Sequence, residues 1–533
     1  MVNSRLFLNG SFVLPDGRRA AALGSIGGVI AAVGAERDVR DALPPRPEVV
    51  DLGRGTAFPG FTDSHVHFLN FGRSHMGASC WPSEVGSVSE IIAKVRFIDA
   101  GLPPERWMRG RGFDPARLEE RRAPLAGELD LPSGRPVVLD SFDFHRRAVN
   151  HAALRAAGID RDTPDPTGGR IVRDADGEPT GELFDAARGL VDVAMPPWSD
   201  DEDREAFLRA SERFVAAGFT HVMNAAPLGM QLLGEEVRAF SRAVRDDVAR
   251  LRISTMVSVR LQKNVEDLGL ILGMDSDGVR LNGFKIFCDG AFGPRTAYMH
   301  DPYQGSDDRG DLSLEPEDLR ERVGRAAGLG WRVCIHAIGD RAVDTAVDAI
   351  GARGRGAMLP HRIEHCCLTR PETIRSMAAA DIVPVPQMPF LRERSTDFAE
   401  ALGEERMARL YPLRSWIDAG LRPLHSSDAP VVEDLRPMAS VYSAMTRRDR
   451  AGRQWGVKEG IDLHEAIAML TEWPAAAEGL GGRLGRLAPG YRADITVLGA
   501  DPWVVGVDEL ENVEATMTVV GGKVVWSGRK GIG

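Results

Sequence analysis

The sequence predicts an α/β fold: a (β/α)8 barrel of the TIM type with a large insertion and a small discontinuous β-sandwich domain built from both termini. Three observations predict this fold. Apolar strand patterns alternate with helical patterns through the middle of the chain, which favours parallel βαβ units. Several strand patterns end at a histidine, lysine or aspartate, and such barrels carry their chemistry at the carboxyl ends of the strands. Both ends of the chain contain short strands joined by tight turns.

Residues 1–56 are predicted to form the N-terminal part of the β-domain. Their short apolar runs are interrupted by Asn9-Gly10 and Gly27-Gly28, pairs that are typical of turns between antiparallel strands. Residues 483–533 have the same character, with Gly521-Gly522 turning one strand into the next. Either end alone would make a marginal sheet with an open edge, so we expect the two to pair in one domain.

Residues 57–440 are predicted to form the barrel. Phe207, Ala210 and Phe214 recur at helical spacing before a strand pattern at 219–223, and later helical patterns lead into strands at 331–336, 382–385 and 421–425. The stretch of about 68–200 is too long for an ordinary connection and is interpreted as an insertion. Residues 441–482 are predicted to be a helical connection back to the β-domain.

Composition narrows the class of protein. Of the 533 residues, 43% are hydrophobic and 27% charged, which is typical of a globular chain, and the net charge of -11 argues against a nucleic-acid partner. We find neither a signal-peptide core nor a run that could span a bilayer, so we expect no membrane partner and a cytoplasmic location. The odd count of five cysteines favours reduced thiols. The sequence leaves open whether the protein forms a homodimer.

The motif Thr56–His67 contains the first candidate metal ligands, His65 and His67. Side chains two apart in a strand share a face, so both imidazoles can reach one ion. Neutral imidazole is a common ligand of zinc and other transition metals. The alternative is that these are two polar residues at the end of a strand.

Four further candidates each follow an apolar run: Lys285, His336, His365 and Asp428. Each has a structural alternative. Lys285 could be a surface or salt-bridged lysine, although its apolar neighbours disfavour exposure. The two histidines could be satisfied core residues, and Asp428 could cap a helix.

Taken in order, these motifs resemble the metal-dependent amidohydrolase superfamily, and within it the branch related to N-substituted formamide deformylases. The resemblance covers nearly the whole chain. Its carriers are Pro59–His67, Phe284–Gly290, His336–Ala342, Arg362–His365, Ser426–Pro430 and the segment Gly485–Asp494, which would re-enter the β-domain.

The resemblance implies a centre of one or two divalent metal ions, with zinc favoured. His65, His67 and Asp428 would hold one ion, and His336 and His365 a second. Lys285 would bridge them as a carbamate formed from carbon dioxide, because an uncarboxylated ammonium cannot bind a metal. Asp428 would also act as the catalytic proton shuttle.

Several other residues are candidates for contact with a small-molecule substrate. His145 belongs to a His-then-Asn segment that looks like one in this branch, and it could touch the scissile oxygen or simply order the insertion. Asp289 and Arg295 follow Lys285 on a loop, where Arg295 could meet an anionic group or pair with Asp289. Six aromatic residues could line a pocket or fill the core, namely Trp81, Trp107, Phe113, Phe144, Phe292 and Phe390.

The resemblance implies a hydrolase that cleaves a C–N amide bond of an N-formyl or N-acyl amine through a metal-activated hydroxide. Two alternatives stay open. The same centre could run ester or lactone hydrolysis, cyclisation or decarboxylation, because a fold does not determine a reaction. A metal-free relative could instead serve as a binding or scaffold protein.

Overall fold

The computed structural model describes residues 3–142, 145–226, 235–246, 248–276 and 279–528. The chain divides into two compact units. One unit contains residues 1–68 and 211–533, and the other contains residues 69–210.

The first unit is built around a sheet of parallel strands. Seven of them in the described part of the chain lie side by side in reverse chain order, and a short strand Asp275–Ser276 pairs antiparallel with the fourth. The seven are β1 (Phe61–Val66), β2 (Phe219–Asn224), β3 (Arg252–Ser258), β4 (Val279–Phe287), β5 (Val333–Ala337), β6 (Arg362–His365) and β7 (Val383–Val385). Their apolar, largely buried side chains are typical of parallel strands covered on both faces.

The segment Leu424–Ala429 occupies the eighth position without forming a regular strand. Its Leu424 N–H donates to the Pro384 carbonyl of β7 over 3.1 Å, and its His425 carbonyl accepts from Ser64 of β1 over 3.0 Å. The segment therefore closes the barrel between β7 and β1. The strand predicted at 421–425 is absent, and Pro423 within it has no N–H to donate to a neighbouring strand.

Helices alternate with the barrel strands, as the sequence predicts. The helix Asp200–Ala216 leads into β2, and Tyr411, whose φ is 49°, separates the helices Glu404–Met407 and Leu413–Asp418. The helices of this unit that follow β2 are Glu235–Arg245, Gln262–Asp267, Pro316–Gly328, Asp340–Arg353, Pro371–Ala379, Met388–Glu393, Ser395–Leu402, Glu404–Met407, Leu413–Asp418, Pro437–Thr446, Leu463–Ala468 and Glu472–Ala477, with 3-10 turns at Val259–Leu261, Val457–Glu459 and Val507–Asn512. In the described ranges, no helix is both long and apolar enough to cross a membrane.

The two ends of the chain build two further sheets of the first unit, and the second of these sheets combines strands from both ends. One sheet contains Val29–Gly34, Ala22–Ile26, Ser4–Leu8 and Glu48–Asp51, with the helix Glu36–Asp41 packed against it. The other contains Lys523–Ser527, Ala515–Val520, Ile495–Leu498, Thr56–Pro59, Ser11–Val13 and Arg19–Ala20. Side chains from both sheets, such as Phe7 and Val497, share one apolar cluster. The predicted pairing of the two termini is therefore present.

The second unit has a mixed sheet of its own. Its strands, in spatial order, are Gly169–Arg173, Pro179–Asp185, Arg146–Val149, Val137–Ser141, Met108–Phe113 and Ala78–Ser79. Its helices include Phe68–Ser74, which begins at the unit boundary, and Val88–Asp99, His151–Ala156 and Arg188–Asp192. Two apolar clusters form its core.

A network of opposite charges is buried in the barrel. Glu478 accepts from Arg332 over 2.7 Å and lies 3.4 Å from Arg362, and all three side chains are at most 2% exposed. Charges buried in this way are tolerated only when they are paired.

Glu478→Ala should therefore lower the free energy of unfolding by about 3–5 kcal/mol, because it leaves two guanidinium groups without their shared carboxylate. Urea denaturation followed by circular dichroism would measure the change. Glu36→Ala, which removes a half-exposed partner of Arg40, should cost far less. Equal losses in the two variants would contradict the role of the buried network.

Candidate metal centre

The six candidate ligands all lie in the first unit, at or just after the carboxyl ends of barrel strands. His65 and His67 stand at the end of β1, Lys285 in β4, His336 in β5 and His365 at the end of β6. Asp428 belongs to the segment that closes the barrel. The next helix begins at Pro437, so Asp428 does not cap a helix.

Three of these side chains converge on one point. Asp428 Oδ1 lies 3.3 Å from His67 Nε2 and 3.4 Å from His65 Nε2. In a tetrahedral zinc site with metal–ligand distances of about 2.0–2.2 Å, neighbouring ligand atoms lie roughly 3.3–3.6 Å apart. The two distances from Asp428 Oδ1 are therefore those of neighbouring ligands around a single metal ion, and the three atoms lie within 4.8 Å of one another.

Hydrogen bonds on the far sides of the two rings show which nitrogens face that point. His65 Nδ1 lies 2.5 Å from Glu364 Oε2, and His67 Nδ1 lies 2.8 Å from the Ala226 carbonyl oxygen. Because both partners are acceptors, each Nδ1 carries the proton and each Nε2 presents a lone pair to Asp428. The buried Asp428 Oδ1 has no hydrogen-bond donor in the described structure. Three acceptors this close together make a site for a cation.

The other two histidines are anchored in the same manner. His365 Nδ1 lies 2.9 Å from Gln387 Oε1, and the amide nitrogen of Gln387 donates to the Val385 carbonyl. Nδ1 of His365 therefore carries the proton, and its Nε2 is bare, with a free lone pair. His336 Nε2 donates to the Gly290 carbonyl over 2.9 Å, which leaves its Nδ1 bare. The two rings are 4.4 Å apart. They form a second pair of imidazoles beside the first.

Burial keeps three of the imidazoles, those of His65, His336 and His365, neutral. It lowers the pKa of His336 to about 3 and holds the pKa values of His65 and His365 well below the usual range, with nearby positive charge adding to the effect. A neutral imidazole offers the lone pair that a metal ion needs.

Lys285 is buried beside His65, with only 2% of its surface exposed. Its Nζ lies 3.4 Å from His65 Nε2 and 5.0 Å from the ring centre of Phe287, and burial lowers the pKa of its amine. The surface alternative for Lys285 is therefore wrong. Phe287 is 40% exposed beside the candidate ligands and offers an apolar wall that the sequence did not single out.

Asp63 is a further buried carboxylate that sequence reasoning missed. Its Oδ1 accepts from the backbone N–H groups of His65 and Ser427, and burial raises its pKa to about 7. It thereby links the end of β1 to the segment that carries Asp428. Its position two residues before His65 was the available signal, because residues at that spacing share a face of a strand.

Asp289 organises the loops around the centre. Its two oxygens accept from the backbone N–H groups of Tyr298, Ile338 and Gly339, and burial raises its pKa to about 7. In the described ranges no ion pair joins Asp289 to Arg295, so the alternative that Arg295 pairs with Asp289 is wrong. Arg295 is half-buried, with a positive φ of 59°.

The remaining substrate-contact candidates divide between the two units. His145, Trp81 and Phe113 lie in the second unit, where His145 Nδ1 pairs with Asp185 over 2.7 Å and the side chain is 39% exposed. Phe113 is fully buried in an apolar cluster and Trp81 packs under Arg111, which favours a core role for both. Phe144 lies outside the described residues.

Phe390 and Phe292 lie in the first unit. The Phe390 ring is parallel to that of His365 at 6.3 Å, so Phe390 backs the second pair of imidazoles.

A parallel barrel whose strand ends bring together buried histidines, an aspartate and a lysine defines a barrel enzyme of the amidohydrolase class. Comparisons with known proteins agree. A model of the amidohydrolase family matches residues 48–526. A putative amidohydrolase, YtcJ of Bacillus subtilis (strain 168), is 31% identical over 97% of this chain and 98% of its own length. The chain belongs to the amidohydrolase family and is a hydrolase.

Two further relatives bear on the details. An N-substituted formamide deformylase of Arthrobacter pascens is 29% identical over 97% of each chain. The crystal structure of an uncharacterized metal-dependent hydrolase from Pyrococcus horikoshii OT3 superposes with a TM-score of 0.80 at 24% identity, covering 95% of this chain and 100% of that one. The second likeness concerns the fold, and the predicted fold class is confirmed.

Proposed function

We propose that the protein hydrolyses a C–N amide bond of a small N-formyl or N-acyl amine at a centre of one or two divalent metal ions, with zinc as the leading metal. The observation that carries this proposal is the convergence of His65 Nε2, His67 Nε2 and Asp428 Oδ1, with no hydrogen-bond donor to Asp428 Oδ1 in the described structure. A carboxylate and two lone pairs this close repel one another unless a cation lies between them. The similarity to an N-substituted formamide deformylase supports the choice of substrate class.

The donor set also suits a second ion. The bare nitrogens of His336 and His365 would hold it, and Lys285, whose Nζ lies 3.4 Å from His65 Nε2, would link the two pairs of imidazoles. In this proposal the neutral Nζ of Lys285 adds to the carbon of carbon dioxide and releases one proton. The resulting carbamate would offer two oxygen ligands, whereas an ammonium group offers none.

When bound, the metal would supply Lewis acidity that lowers the pKa of water and polarises the substrate carbonyl. Asp428 would receive the proton of the attacking water at Oδ2, the oxygen that does not converge with His65 and His67. It would return that proton to the departing nitrogen, which would otherwise leave as a strongly basic amide anion. Because His65 and His67 are held from their far sides, their positions are determined before substrate arrives.

Removal of the metal should abolish turnover. Protein stripped with a chelator should lose at least about a hundredfold in rate, because Lewis acidity contributes several kcal/mol to stabilising the transition state. Zinc added back should restore the rate. Elemental analysis and amine release from N-formyl and N-acetyl amines would measure both effects.

Matched esters and lactones in the same assay separate the competing reactions. Faster turnover of esters than of the corresponding amides would overturn the proposed substrate class. Purified protein that holds and binds no divalent metal would instead favour the scaffold alternative.

A further inference from the structure

We infer that Glu364, held by Arg362, is the positioning residue that fixes the tautomer and orientation of His65, so that Nε2 of His65 faces the metal. This inference rests on the metal centre proposed above and assigns a role to a residue that does not itself reach the metal. It starts from β6, in which Arg362 and Glu364 are two residues apart and fully buried. Residues at that spacing share a face of a strand, and here both side chains point into the barrel.

The contact crosses the interior of the barrel. Glu364 Oε2 lies 2.5 Å from His65 Nδ1, although β6 and β1 are separated in the sheet by β7 and the closing segment. Arg362 reaches the same strand, because its Nη2 donates to the Ser64 carbonyl over 2.6 Å. The pair therefore touches β1 twice in succession, once on the backbone and once on the imidazole.

The guanidinium holds both oxygens of the carboxylate. Arg362 Nε donates to Glu364 Oε1 over 2.8 Å, and its Nη2 donates to Oε2 over 2.9 Å. This two-pronged geometry restricts the plane of the carboxylate, and both of its oxygens accept hydrogen bonds from the guanidinium. A charged carboxylate only accepts hydrogen bonds, so the proton between Glu364 and His65 belongs to Nδ1 of the histidine.

The surrounding charges balance this arrangement. Arg362 and Arg332 offset Glu364 and Glu478, so the cluster is neutral without a proton on His65 Nε2. The other three candidate histidines donate to neutral acceptors, namely two backbone carbonyls and the Gln387 amide. In the described parts of the chain, His65 alone among the four is anchored by a hydrogen bond to a carboxylate. A carboxylate in this place also makes the imidazole a stronger electron donor to a metal.

The test measures zinc affinity by competition with a chelator, using the full-length protein. Glu364→Gln keeps an acceptor of the same shape and removes the charge, and it should weaken zinc binding about 10–100-fold. The matched control is Glu478→Gln, which disturbs the same buried network without touching His65. It should lower the unfolding temperature and leave the zinc Kd within about twofold of the wild-type value.

Cobalt(II) in place of zinc gives a second readout. The visible absorption bands should shift in Glu364→Gln and stay in place in Glu478→Gln. An unchanged zinc Kd in Glu364→Gln, or equal weakening in both variants, would overturn the inference while leaving the metal centre intact. Wild-type protein that binds neither zinc nor cobalt would overturn both.

A measurement on the wild-type protein covers the case in which Glu364→Gln does not fold. Nitrogen-15 labelling of the histidines reports which ring nitrogen carries the proton in the metal-stripped protein, with His65→Asn used to assign the signal. Protonation at Nδ1 of His65 is expected. Protonation at Nε2 would show that Glu364 does not set the tautomer.

Discussion

Asp428→Asn should reduce kcat by about three orders of magnitude while the protein stays folded. General acid–base catalysis by one side chain contributes roughly 10²–10⁴-fold, and the side-chain amide of asparagine cannot take up the proton of the attacking water. The change also places an amide beside Nε2 of His65 and His67, within 3.4 Å of both atoms. Steady-state kinetics with an N-formyl amine would measure the loss, and elemental analysis would separate lost catalysis from lost metal.

Asp434→Asn is the matched control for this prediction. Asp434 lies six residues further along the chain, and its carboxylate pairs with Arg436 over 2.7 Å. Its amide variant should turn over substrate at nearly the wild-type rate. Activity of Asp428→Asn comparable to that of the control would remove Asp428 from the proton-transfer steps.

Lys285→Ala should lose much of its bound metal and at least about a hundredfold in rate, because the proposed carbamate is the only bridge between the two pairs of imidazoles. Formate or acetate supplied in solution should restore part of the metal content by entering the space of the missing side chain. Elemental analysis after dialysis, with and without the added acid, would measure this recovery.

Lys263→Ala provides the comparison for the lysine. Lys263 is exposed and pairs with Asp267, so its removal should change neither metal content nor rate. Lys285→Arg extends the test, because a guanidinium is cationic and does not form the carbamate. Wild-type metal loading in Lys285→Ala would contradict the bridging role.

The alternation of strands and helices could be predicted from the sequence because it depends on the local spacing of apolar residues. The strand pattern at 219–223 became β2, and the turn at Gly521-Gly522 joins two paired strands as predicted. The candidate ligands were recognisable for a related reason, since each ends an apolar run. The eighth barrel position was predicted wrongly as a regular strand, and Pro423 within it has no N–H to donate to a neighbouring strand.

The sequence by itself determined the barrel, the pairing of the two ends of the chain and the residue types gathered at the strand ends, because hydrophobic periodicity and turn residues act over short stretches of chain. Only the tertiary structure decided which side chains hold those residues in place. Glu364 meets His65 across 299 positions, Arg362 meets Glu478 across 116, and Asp63 accepts from a backbone N–H 364 residues away. Such contacts depend on which strands face one another across the barrel interior. The spacing of residues along the chain does not show which strands those are.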